Sequence, residues 1–271
     1  MKIRWRHVVE LLPKDIPLFI PDIPGYGRSA SLAGPHDKRS VGQAILQGLR
    51  SALQHDKQQS IVIAGHDRGA RICHRIGVDK GYANMKVLGT IFLDIVPSLV
   101  QWQTFNNPAA VVGAFHWPFL ANVSIATAVI KAQGGDKWVE ICLTKWFGKN
   151  SVGLQKFHAN NSMKVYMDSF KPESVIRASC DDYRAGAQED IEEQRKDQEQ
   201  GRKLDIDTLL IYSDDYIGKR YNFEKVWSEW MGSGKLNITP IGDGIGHFLA
   251  EEAPEKTTST ISLFYENVAS R

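Results

Sequence analysis

Short uninterrupted apolar runs alternate along the chain with stretches in which apolar residues recur at every third or fourth position. The runs are "SIVIAG" at 60–65, "VLGTIFLDIVPS" at 87–98, "DTLLIYSDD" at 207–215 and "LNITPIG" at 236–242. The first two, short and continuous, predict strands buried on both faces, and the sheet is expected to resume with the last two. Between them, Val41, Ala44, Ile45, Leu49 and Leu53 mark a helix over 39–55. Further helices are predicted from 68 to about 80, around "YNFEKVWSEWM" at 221–231, and after the loop "DGIGHFLAEEAP". Ahead of these, residues 4–12 resemble the end of a helix, "IPLFIPDI" at 16–23 predicts a strand, and "PGYGRSASLAGP" is rich in turn formers. The alternation predicts an α/β fold with a mostly parallel sheet and helices on both faces.

From residue 101 to 197 the texture changes. No strand pattern recurs, aromatic residues are frequent, and the stretch closes in the polar run "AQEDIEEQRKDQEQGRK". This predicts a helical cap inserted into the core: residues 1–100 form the first part of the core, 101–200 the cap and 201–271 the second part. The polar run is expected to be a solvated helix face.

The 33 basic and 31 acidic residues leave a net charge of +2, which gives no footprint for nucleic acid or an anionic membrane. A small-molecule substrate is the expected partner, and no metal or cofactor is called for. Cys73, Cys142 and Cys180 have no paired spacing and suit reduced, structural thiols. No apolar run has the length of a membrane span, and neither a signal peptide nor a Ser-Lys-Leu address is discernible. A cytoplasmic location is therefore expected.

The chemistry gathers at "IVIAGHDRGARICHR", residues 61–75. A Gly-x-nucleophile-x-Gly turn between strand and helix lifts its central side chain above the sheet edge, and small flanking residues permit the turn. The central residue is Asp67. A carboxylate can displace a leaving group from a saturated carbon to form an ester, which a base-activated water then hydrolyses. His247, in the loop after the last predicted strand, is the candidate base. Asp67 as a simple helix cap is the alternative.

The ordered series "PDIPGYGRS", "GHDRGAR", "LDIVPS", "FHWPFLA", "DDYRAGA" and "GHFLAEEAPE" resembles the α/β-hydrolase superfamily, and within it the fluoroacetate (haloacetate) dehalogenases and related epoxide hydrolases. The resemblance runs from about residue 4 to the C-terminus. It implies Asp67 as nucleophile, His247 as base and Asp94 as the acid that orients His247, with Asp214 and Asp215 as rivals for that last role. Arg68 and Arg71, three apart on one helix face, would hold a substrate carboxylate. Arg75, further along, is expected on an exposed face with ion pairs. His116, Trp117 and Tyr183 would supply N–H and O–H donors to a departing halide, whereas Trp138 and Trp146 are expected to pack.

The family normally carries further strands and a His-Gly loop ahead of the segment matched by the first residues here. The chain is accordingly expected to leave one sheet edge uncovered, open to a second copy in a homodimer, and to have the Arg68 N–H as its single oxyanion donor. The implied activity is a haloacetate dehalogenase-like hydrolase. An epoxide or ester hydrolase of a biosynthetic pathway, and a catalytically impaired ligand-binding relative, stand beside it.

Overall fold

The computed structural model describes residues 2–55 and 57–270. Helix α1 (Arg6–Leu11) and helix α2 (Lys38–Leu53) precede strand β1 (Gln59–His66), helix α3 (Arg68–Val78) and strand β2 (Met85–Leu93). Strands β3 (Asp207–Ser213) and β4 (Leu236–Ile241) follow a long helical stretch, and helix Pro254–Ala269 closes the chain. The sheet runs β1-β2-β3-β4 with every neighbouring pair parallel.

The central strands β2 and β3 are apolar almost throughout because both faces of the sheet are covered there. Ile91 and Leu93 of β2, with Leu209 and Ile211 of β3, join Val8 of α1 and Phe264 and Val268 of the last helix. The intervening Phe92 and Leu210 point the other way, into a second core with Ala70 and Cys73 of α3 and with Trp227. Such two-sided burial explains the absence of alternation in the sequence. All three cysteines are buried and unpaired in disulfides. Among the described residues no helix is long and apolar enough to cross a membrane.

No strand lies between β2 and β3; every regular element there is helical. Aromatic residues fill this part's own core, where Trp117, Trp138 and Tyr183 pack with Leu120, Ile130 and Ile176.

Three expectations need correction. "IPLFIPDI" is not a strand: residues 17–23 have no regular structure, and Leu18 and Phe19 are 47% and 42% exposed. Pro17 and Pro21 remove ladder donors from a segment only eight residues long. The charged run is not simply a solvated face either, because helix Glu189–Glu199 turns Asp190, Gln194 and Asp197 inward. Their i, i+4, i+7 spacing is that of a buried stripe, here built from polar residues. Arg75 is the counterpart of this stripe and is buried, not exposed. It donates to Asp197 at 2.5 Å and to Asp79 at 2.6 Å.

Removing Asp197 leaves the buried Arg75 with Asp79 alone, and losing such a charge-assisted contact costs about 1.5–3 kcal/mol. Asp197→Ala is therefore expected to lower unfolding stability by that amount in a denaturant titration. The same change at Glu192, on the exposed side of the helix, should stay within about 0.5 kcal/mol.

Candidate active site

The turn from β1 into α3 holds Asp67 at φ 49°, ψ −116°, outside the regions that side chains ordinarily favour. Gly65 permits this turn. A Cβ there would lie 2.4 Å from the Ala70 nitrogen and from the Gly69 carbonyl group. Gly69 is less constrained than the motif suggests, since the nearest atom to a Cβ there is the Ile23 Cδ1 at 4.0 Å.

Asp94 follows β2 and stands beside β3. Its backbone N–H donates to Ile211, and its carboxylate accepts from the Ser213 N–H at 2.8 Å and from His247 Nδ1 at 2.6 Å. The rival acids do not reach the imidazole. Asp214 is exposed, and the exposed Asp215 accepts from Gly244 and Lys219.

His247 Nε2 lies 3.8 Å from Asp67 Oδ2, so the ring sits between two carboxylates. Burial opposes its charged form, but the two carboxylates outweigh burial and raise its pKa to about 9. Burial likewise opposes the ionised Asp67, yet His247 holds that carboxyl well below its usual range. Asp94 is pushed up by burial and drawn back by His247. The two carboxyl groups on either side thus favour the imidazolium form of the ring.

The loop carrying His247 is fixed by groups that no sequence pattern announced. His66 Nε2–H donates to the His247 carbonyl at 2.7 Å, which leaves Nδ1 to accept from Arg4 at 3.2 Å. The buried Glu252 carboxylate accepts three backbone N–H groups: Gly246 and Phe248, flanking His247, and Gly148, just after helix Gly135–Trp146 of the helical insertion. The Tyr216 ring packs 5.4 Å from the imidazole. The one available signal for Glu252 was its place five residues after His247 in a short motif.

Arg68 and Arg71 are both buried beside Asp67. Arg68 donates to Asp182 Oδ2 at 2.6 Å and to the Asp182 carbonyl at 2.9 Å, and its Nη1 is buried without a partner. Arg71 donates to the Val96 carbonyl and the Ser98 hydroxyl, with Nε buried and unpartnered. Burial and the neighbouring Arg68 lower its pKa to about 10, so it remains cationic at neutral pH. Together the two guanidiniums present unsatisfied donors in a desolvated place, an environment that favours an anion.

His116, Trp117 and Tyr183 are brought together, with ring centres 5.6–6.5 Å apart. The Arg68 guanidinium lies over Tyr183 at 4.2 Å and that of Arg71 over Trp117 at 4.5 Å. Burial lowers the His116 pKa to about 3 and raises that of Tyr183, so both are neutral hydrogen-bond donors at neutral pH. Trp138 packs as expected. Trp146 does more than pack: it lies 4.7 Å from His116 and 6.2 Å from His247, with its indole N–H buried and unpartnered.

No family model matches the chain. It is 25% identical over 268 residues to a fluoroacetate dehalogenase from Burkholderia sp, covering 98% of this chain and 84% of that protein. Among solved structures, a proposed α/β hydrolase from Nostoc sp is 29% identical with a TM-score of 0.80, covering 96% of this chain and 85% of the other. A proposed epoxide hydrolase from Pseudomonas aeruginosa is 22% identical with a TM-score of 0.86, covering 99% and 86%.

The imidazolium has a direct test. Asp67→Asn removes one of the two carboxylates that raise His247, so its pKa is expected to fall from about 9 towards the ordinary imidazole range. An NMR titration of the His247 ring measures this; an unchanged value would contradict the assignment.

Proposed function

We propose a reaction for this chain, which belongs to the α/β-hydrolase superfamily and is related to dehalogenases and epoxide hydrolases: hydrolysis of a small haloacid through an ester on Asp67. The observation that carries this reading is the line Asp67–His247–Asp94 with two buried guanidiniums beside Asp67. Arg68 and Arg71 hold the substrate carboxylate. One oxygen of Asp67 attacks the halogen-bearing carbon as the carbon–halogen bond breaks. The halide leaves with the bonding pair towards donors on His116, Trp117 and Tyr183.

Attack also changes the base. Esterified Asp67 carries no charge, so one of the two causes that keep His247 protonated disappears, and the ring can release its proton to solvent. Neutral His247, oriented by Asp94, then takes a proton from water as that water adds to the ester carbonyl. The N–H of Arg68, the first residue of α3, is the donor that a nucleophile elbow offers to the resulting oxyanion. Collapse expels the alkoxide of a 2-hydroxy acid, which takes the proton from His247, and Asp67, left as the carboxylic acid, passes the second water proton to the neutral imidazole and returns to the carboxylate.

A second reading is favoured by Tyr183, a neutral phenol in the leaving-group position. In it Asp67 opens an epoxide acid and Tyr183 protonates the epoxide oxygen.

A panel of fluoroacetate, chloroacetate and small epoxy acids separates the readings. Halide release is expected, falling about 10⁴-fold in Asp67→Asn, with Arg71→Met raising KM for the acid more than it lowers kcat. Turnover of epoxy acids alone would select the second reading. Retention of full turnover by Asp67→Asn would overturn both.

A further inference from the structure

Arg68 does not meet its partner Asp182 alone. The other oxygen of that carboxylate, Asp182 Oδ1, accepts from Lys38 Nζ at 2.7 Å. Lys38 is only 3% exposed, and its ammonium also donates to Asp190 Oδ2 at 2.9 Å, while its backbone N–H donates to Asp190 Oδ1 at 2.7 Å. Tyr26 contributes an O–H to Asp182 Oδ2 at 3.3 Å. The result is a buried chain of alternating charge, Arg68–Asp182–Lys38–Asp190, whose formal sum is zero. It joins the first turns of α2 and α3 to helices Glu173–Ala187 and Glu189–Glu199 of the insertion.

Charges this deep are only weakly screened by salt, and each alters the local potential over several ångströms. Without Lys38, two carboxylates would face a single guanidinium, and the Arg68 end of the site would repel an anion. With it, Asp182 is shared, and the free Nη1 of Arg68 keeps a cationic character.

We propose that Lys38 and Asp190 are specificity-determining positioning residues, which set the charge that Arg68 presents to a substrate carboxylate. Neither belongs to the line Asp67–His247–Asp94; both act through Asp182 and Arg68. The inference rests on the reading of Arg68 and Arg71 as a carboxylate clamp.

Calorimetric binding of glycolate and of its neutral amide, glycolamide, to the full chain tests it without requiring turnover. The unsubstituted protein is expected to prefer glycolate. Lys38→Met should weaken glycolate about tenfold, as one buried charge warrants, and leave glycolamide unchanged. Asp190→Asn removes a negative charge and should tighten glycolate, and the double variant should return close to the starting affinity.

A packing role alone predicts a different pattern, in which both single variants and the double variant weaken both ligands. That pattern, or weakening of glycolate by Asp190→Asn, would overturn the inference while leaving the clamp intact. Equal affinity of the unsubstituted protein for acid and amide would instead defeat the clamp, and the inference with it. If Lys38→Met does not fold, Asp190→Asn decides alone, because charge and packing predict opposite signs for it.

Discussion

An imidazolium between two carboxylates is the interaction on which this site depends. Asp94 can hold His247 because its backbone turns at φ 57°, where β2 ends, while the Ser213 N–H fixes its second oxygen. Asp67 can face the same ring because Gly65 lets the chain turn sharply after β1. Each carboxylate stabilises the charge on His247, and His247 stabilises the charge on each carboxylate. The arrangement favours the ionised form of Asp67 in a buried place, and it ties the basicity of His247 to whether Asp67 carries charge. In the proposed reaction, esterification of Asp67 is then the event that frees His247 to act as base.

The helical insertion is bound to this centre by polar contacts as well as by packing. Glu252 gathers backbone N–H groups from both the His247 loop and the end of helix Gly135–Trp146. Gly148 and Gly246 cross so closely that a Cβ on Gly246 would lie 2.1 Å from the Gly148 nitrogen. On the other side, Arg68 and Lys38 reach across to Asp182 and Asp190. Buried polar contacts of this kind are unforgiving of misalignment, since an unmatched group is costly. They fix where His116, Trp117 and Tyr183 stand relative to Asp67.

Much of this was legible in the sequence, for physical reasons. Strands buried on both faces, as β2 and β3 are, leave continuous apolar runs, and an elbow leaves glycines around its central residue, so the sheet and Asp67 could be located without coordinates. The acid was harder, because Asp94 and the pair Asp214 and Asp215 all follow strands; only the direction of the His247 ring separates them. Glu252, His66 and Trp146 act through backbone groups or ring contacts that have no periodicity. The charged stripe of Asp190, Gln194 and Asp197 was hidden by composition: its partners Lys38 and Arg75 lie more than a hundred residues away. Pro17 and Pro21 argued against a strand that the apolar residues around them suggested.

The central claim is that the substrate becomes an ester of Asp67, and that water attacks that ester and not the substrate. A single turnover of excess protein with chloroacetate in ¹⁸O-water, followed by mass spectrometry of the peptide containing Asp67, tests it most directly. The account predicts label in the Asp67 carboxylate and an unlabelled hydroxy acid. Label in the product with none in Asp67 would contradict it.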